Sequence, residues 1–223
     1  SEPCVGKGLV AIRFYFFLSD LTLNCSAAHE RSVCRAFSRF KKMLPWYCMC
    51  QVKLLGPELL APMASAGCRK IGLGLETPLW QHRGRLKGDT GDIDRLLGQI
   101  IEDAHAQGIF VKGYLMVGYP WETQETLTAT RDALMRHSFD EIKVSFYTPF
   151  PGTRDFDRWR DCLTTSDWSD FDTVSTPVVR MQGVTAAELI EWRTDLFRSY
   201  YGSHAYRALL STWRRRGSHF ISG

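Results

Sequence analysis

Gly72, Gly74 and Glu76 alternate along one short apolar run, Arg69–Glu76, and the intervening positions are Ile71, Leu73 and Leu75. Successive side chains of a strand point to opposite faces. One face of this run is therefore greasy, while the other has been emptied of side chains and ends in a carboxylate. Such a face suits a ligand. A second group able to do chemistry is Cys48-x-Cys50, whose thiols could ligate a metal. On a strand, however, alternation turns both of them, with Trp46, toward covering helices, where cysteine behaves as a small hydrophobe. The seven cysteines, at 4, 25, 34, 48, 50, 68 and 162, have no framework spacing and read as reduced thiols.

The elements that would position Glu76 follow from the same periodicity. The runs Arg69–Glu76, Phe110–Gly118 and Glu141–Thr148 each end in a polar or Gly/Pro-rich turn and are spaced by helical segments, the pattern of repeated βα units and a parallel sheet. Val111, Leu115 and Val117 oppose Lys112, Tyr114, Met116 and Gly118 on the second run, and Ile142, Val144 and Phe146 oppose Ser145 and Tyr147 on the third. Val10–Leu18 and Trp46–Lys53 read as two further strands. Helices are expected over Ala27–Met43, Pro57–Ala66, a stretch from Ile93 closed by Gly108, Glu122–His137, a short turn around Phe156 and Trp159, and Ala205–Arg216. Thr185-Ala186-Ala187-Glu188 is a capping box that opens one more. Pro78–Thr90 is a long polar connection, and Thr164–Gly183 is irregular.

At 223 residues, 44% apolar and 23% charged, the chain is an ordinary globular one with a sizeable core. It has no run of about 18 apolar residues, so no membrane span is expected. Val10–Leu18 lacks a basic leader region and a small-residue cleavage site, so it reads as a strand rather than a signal peptide. A net charge of +4 is mild, and Arg214-Arg215-Arg216 reads as a solvated helix face rather than a nucleic-acid contact. The expected location is cytoplasmic.

Four ordered blocks carry a resemblance: Gly67-Cys68-Arg69-Lys70-Ile71-Gly72-Leu73-Gly74-Leu75-Glu76-Thr77, Lys87-Gly88, Gly113-Tyr114-Leu115-Met116-Val117-Gly118-Tyr119-Pro120-Trp121-Glu122-Thr123 and Pro149-Phe150-Pro151-Gly152-Thr153. Together they resemble radical S-adenosylmethionine enzymes, most closely the branch whose members often carry an upstream cobalamin-binding domain. The resemblance runs roughly from Phe14 to Asp172. It implies an α/β fold, an incomplete (β/α)6 TIM-like barrel of about five parallel strands, with a core over residues 1–163 and a C-terminal helical extension over 164–223.

It also implies site roles. Gly72, Gly74 and Glu76 would lie along the ribose and adenine of S-adenosylmethionine, Gly118 and Pro120 would turn beside the adenine, and Thr148 with Pro149 would close the last strand. Asp20, with Thr22 and Asn24, matches a family strand end at which Ser19 departs from the usual second acid. Gln51 stands where relatives carry an arginine. The family's [4Fe-4S] cluster is held by a Cys-x3-Cys-x2-Cys loop after its first strand, and reduction of the bound sulfonium releases a 5′-deoxyadenosyl radical that abstracts hydrogen from substrate. No cysteines of this chain have that spacing. Cys48 and Cys50 should face the helices and Cys68 the opposite rim, so that no three thiols converge and the chain alone forms no cluster. The expected identity is thus the C-terminal portion of a radical S-adenosylmethionine enzyme acting on a small-molecule substrate, with the cluster loop and any cobalamin domain upstream. The alternative is a cluster-free relative acting as a binding or structural module.

Overall fold

Winding order places the site. In the computed structural model, which describes residues 16–18, 22–40, 44–77 and 93–216, five strands form one sheet in the order of the chain: β1 (Phe16–Leu18), β2 (Trp46–Cys50), β3 (Cys68–Glu76), β4 (Phe110–Val117) and β5 (Glu141–Phe146). All four pairings are parallel. Each strand lies beside its predecessor, as in a barrel wall, and among the described residues β1 and β5 do not pair to close it. Helices α1 (Ala27–Phe37), α2 (Pro57–Ser65), α3 (Ile93–Ala106) and α4 (Gln124–Met135) make the connections, followed by α5 (Arg154–Trp159), α6 (Ala186–Tyr201) and α7 (His204–Arg215).

The greasy strand face is the core. Ile71, Leu73, Leu75, Val111, Leu115, Val117, Val144 and Phe146 pack in one cluster with Leu60 and Met63 of α2, Leu97 and Ile100 of α3, Leu127 of α4 and Leu189, Trp192 and Leu196 of α6. Burial of this apolar surface is what holds helices to sheet. The opposite face carries Tyr47, Met49, Lys70, Lys112, Tyr114 and Glu141. Glu141 bridges the ammonium groups of Lys70 and Lys112. Burial would raise its carboxyl, but the two lysines outweigh that and hold it below the usual range.

Several element ends differ from the sequence expectation. β2 stops at Cys50 instead of Lys53 because Val52–Leu54 winds into a 3₁₀ turn. α1 stops at Phe37, six residues short of Met43. There the Ser38 amide and Oγ both donate to the Cys34 carbonyl, at 2.9 and 2.8 Å, and the following amides tighten to i→i+3 bonds, Arg39 N to Ala36 O and Phe40 N to Phe37 O. α4 begins at Gln124, with Thr123 as its N-cap and Thr126 completing the capping box, so Glu122 precedes the helix. The capping box at Thr185 opens α6 as expected. Of Val10–Leu18, residues 10–15 lie outside the described residues, as does the whole 78–90 connection.

The C-terminal helices seal the sheet at its far edge and its base. Tyr201 OH accepts from Ile142 N at 2.9 Å and donates to Ile142 O at 3.3 Å, and the Phe146 amide donates to Thr173 O at 2.7 Å, which satisfies backbone groups on the outer edge of β5. At the amino end of the strands, Trp213 of α7 stacks on Phe110 at 4.2 Å. Its indole N–H donates to Asp140 Oδ1 at 2.5 Å. Asp140 Oδ2 meanwhile accepts from Val111 N at 2.7 Å and meets His105 Nε2 at 2.8 Å.

Candidate functional site

The carboxyl end of β3 is irregular. The register with β4 runs Gly74 to Tyr114 and then Glu76 to Leu115, so Leu75 is an inserted residue, and Glu76 takes φ +59°. The Thr77 amide closes a tight turn on Leu75 O at 2.8 Å. A non-glycine residue in the left-handed region costs about 1 kcal/mol or more, and bulges of this kind re-aim a side chain. Here the half-buried Glu76 lies near enough to Tyr119 to act on its hydroxyl. Burial first, then the charge of Glu76, then that of Glu122, push the Tyr119 phenol far above its ordinary range.

The neighbouring turn follows β4. Gly118 takes φ +92°, and a Cβ there would come within 3.0 Å of Leu189 Cδ2, so only glycine fits both the backbone and the helix behind it. Glu122 folds back under this turn. Its Oε2 accepts from Gly118 N at 2.5 Å and from Tyr119 N at 3.0 Å, while its own amide donates to Tyr119 O at 2.9 Å. The side chain is 0% exposed, and Oε1 has no hydrogen-bond partner. Burial outweighs the two amide bonds and lifts this carboxyl to about 7. Tyr119 itself lies between Trp121, at 4.8 Å between ring centres, and Tyr147, at 4.5 Å. Tyr147 donates to Asp155 Oδ2 at 2.7 Å.

Beyond β5, Thr148 is buried and donates to Phe146 O at 3.2 Å, and Pro149 and Pro120 are buried beside their turns. Glu76, Gly118, Pro120, Thr148 and Pro149 thus follow the carboxyl ends of three adjacent parallel strands, where ligand sites of such sheets gather. At the end of β2, Asn24 clamps the Gln51 backbone, accepting from its N–H at 2.8 Å and donating to its carbonyl at 2.9 Å. The Gln51 side chain is exposed. Gly74 is half-buried on β3. Asp20 and Ser19 lie outside the described residues.

Gly72 has a different setting from the one its sequence suggests. A Cβ there would stand 2.5 Å from Tyr47 Oη, 2.6 Å from Met49 Sδ and 2.8 Å from the Tyr114 ring. The space left by the missing side chain is filled by a tyrosine pair whose hydroxyls meet at 2.5 Å. The thiols also need a correction. Cys48 and Cys50 do face the helices, with Sγ atoms 3.7 Å apart. Cys68, expected to precede its strand on the opposite rim, opens β3 and joins the buried layer of Cys48 and Cys50, its Sγ donating to Lys70 O at 3.4 Å. The cause is a register shift: Trp46 pairs with Cys68 and Tyr47 with Lys70, so Arg69 is inserted and Cys68 flips to the buried layer. Neighbouring thiols and burial raise Cys48 well above its ordinary range, and burial lifts Cys34 to about 12. Both are held as neutral thiols. Among the described residues no three His, Cys, Asp or Glu are placed to hold a metal ion. No helix among them is long and apolar enough to cross a membrane.

Sequence reasoning missed Glu122, which read as the first residue of a helix, and Tyr119, which read as part of the turn entering it. The available signal was a buried-type glycine-proline turn followed at four residues by a carboxylate.

No family model matches the chain. It is 27% identical over 119 residues, 52% of its length, to the bacteriochlorophyllide d C-12(1)-methyltransferase of Chlorobaculum tepidum, covering 25% of that protein. It is 29% identical over 147 residues, 65% of its length, to the anaerobic magnesium-protoporphyrin IX monomethyl ester cyclase of Cereibacter sphaeroides, covering 23% of that protein. The chain therefore spans about a quarter of the length of these curated relatives. Among solved structures, the radical S-adenosylmethionine methyltransferase TsrM of Kitasatospora setae, with cobalamin and a [4Fe-4S] cluster bound, superposes with a TM-score of 0.59 at 22% identity over 68% of this chain and 30% of that one. The fold is that of the radical S-adenosylmethionine enzymes, and the sequence blocks resemble the cobalamin-type branch of that superfamily.

Proposed function

We propose that this chain is the S-adenosylmethionine-binding portion of a radical S-adenosylmethionine enzyme with a small-molecule substrate. The observation that carries the proposal is the re-aimed, strained Glu76 beside the Gly118–Glu122 turn at the carboxyl ends of β3 and β4. Glu76 would accept from the ribose hydroxyls, with Gly74, Gly118 and Pro120 giving a flat adenine close approach to backbone, and Thr148 and Pro149 bounding the cleft. Gly72, roofed by Tyr47, Met49 and Tyr114, is left out of this set.

The described cysteines do not fit a cluster: Cys34, Cys48, Cys50 and Cys68 are buried with the core, and Cys162 stands apart from them against the second hydrophobic cluster. Ligands for the [4Fe-4S] cluster are accordingly assigned to a further segment carrying Cys-x3-Cys-x2-Cys, and cobalamin in the full-length protein is proposed on the branch resemblance alone. A cluster held by such a segment would supply the electron that S-adenosylmethionine cleavage requires. A cytoplasmic location completes the proposal. The test is anaerobic reconstitution with iron and sulfide, followed by S-adenosylmethionine and dithionite. This chain alone should give neither a cluster spectrum nor 5′-deoxyadenosine, and a version joined to a Cys-x3-Cys-x2-Cys segment should give both. Turnover by this chain alone would overturn the assignment of the cluster ligands.

A further inference from the structure

Above β4 and β5, a second hydrophobic cluster, separate from the main core, joins Tyr119 and Tyr147 to Phe171, Val178 and Val179, with Trp121, Phe156, Trp159 and Leu163 packed around them. Phe156, Leu163 and Phe171 also line an open groove of about 450 Å³, together with Trp168, Arg160 and the 164–166 backbone segment. That volume lies within the roughly 300–1,000 Å³ of small-molecule sites.

Its floor is fixed. Leu163 pairs with Val179 in an antiparallel bridge, Thr164 N bonds Val178 O at 3.0 Å and Arg180 N bonds Cys162 O at 2.8 Å. Its wall is not satisfied by the protein. Trp168 packs one side on Phe171, at 5.0 Å between ring centres, and approaches Phe156 at 6.1 Å, yet it remains 59% exposed. An indole left in water over an aromatic floor is a stacking platform.

Arg160 is the one charged residue among those that line the groove. Arg160 lies over the Phe156 ring at 5.5 Å and meets Asp157 at 3.3 Å in a pair that is two-thirds exposed on both sides and heavily screened. The neighbouring acids do not line the groove: Asp170 accepts from Thr165 Oγ1 at 2.8 Å, and Asp167 from Ser169 N and Oγ at 2.9 and 2.8 Å.

We infer that this groove binds a planar, conjugated ring system bearing a carboxylate, which stacks on Trp168 and Phe156 and places its anionic group at Arg160. The inference deepens the proposed function by naming the class of its substrate. It rests on that reading only in calling the ligand a substrate, because the groove shares its floor with the cluster that holds Tyr119 beside Glu76.

The test is titration of the chain with pyrene-1-carboxylate and with the neutral analogue pyrenemethanol, read by probe fluorescence anisotropy. The wild type should bind the carboxylate more tightly than the alcohol. Trp168→Ala should weaken both by roughly tenfold, and Arg160→Gln should abolish the preference while leaving the alcohol unchanged. Phe40→Ala removes an aromatic that is 63% exposed between α1 and β2, on the amino-end side of the sheet, and should change nothing. Non-saturating binding, unaltered binding by Trp168→Ala, or an equal loss in Phe40→Ala would overturn the inference. S-adenosylmethionine binding measured in the Trp168→Ala protein separates the two readings. Its absence from wild type and variant alike, with pyrene binding intact, would remove the proposed function and leave the groove standing.

Discussion

Glu122 shows how a single buried carboxylate can organise a turn and destabilise the molecule at once. Folded, it keeps its proton up to about pH 7, whereas in the unfolded chain it releases it near 4.5. Between those values the native state holds the extra proton, so this group's contribution to stability falls as pH rises, by on the order of 3 kcal/mol over the whole window. Glu122→Gln keeps an acceptor for the Gly118 and Tyr119 amides without the charge. Denaturant titrations should find it close to wild type at pH 4.5 and more stable at pH 8. Glu122→Ala strands both amides and should be less stable than the Gln variant by about 2 kcal/mol at every pH. A Gln variant that tracks wild type from pH 4.5 to 8 would show that the carboxyl is not raised. Glu76 makes a complementary case. Glu76→Gly accommodates φ +59° without strain, so its melting temperature should not fall below wild type even though the proposed ribose acceptor is gone. The alternation of Gly72 and Gly74 was legible because a strand's period is two, but it does not carry through to Glu76, which the inserted Leu75 takes out of that series and re-aims. The setting of Gly72 was not legible, because Tyr47 and Tyr114 reach it from neighbouring strands, and only the register brings them there.

Elements were legible in kind and less so in their ends. All five strands and the capping box at Thr185 follow from apolar period and turn residues. The early stop of α1, where the bonds tighten to i→i+3 after Ser38, and the flip of Cys68 on one inserted residue, Arg69, are announced by no local pattern. The base of the sheet gives a prediction at this scale. Trp213 is 2% exposed, stacks on Phe110 and donates to Asp140, whose carboxylate also fixes Val111 and His105. Trp213→Ala leaves both a cavity and a buried carboxylate short of a donor, and should cost about 3 kcal/mol in denaturant unfolding. Because α7 is pinned there, the variant should also be cut by trypsin at Arg214–Arg216 much faster than wild type. Unchanged stability would mean that α7 is not a structural part of the sheet's base.

For the whole molecule, the fold class was readable from repeated βα units, and chain-order pairing of five parallel strands is what that repetition predicts. The choice of rim residues proposed to meet a ligand comes from the family resemblance, and the residues of that set which the structure describes, among them Glu76 and Gly118, follow the carboxyl ends of adjacent strands. The direct measurement is saturation-transfer NMR on the isolated, folded chain with S-adenosylmethionine, which detects weak binding and needs no cluster. Wild type should transfer saturation to the adenine and ribose protons, and Glu76→Gly, shown folded by its unchanged melting temperature, should lose that transfer. No transfer to wild type, or equal transfer to both proteins, would contradict the placement of the S-adenosylmethionine site at the carboxyl end of β3.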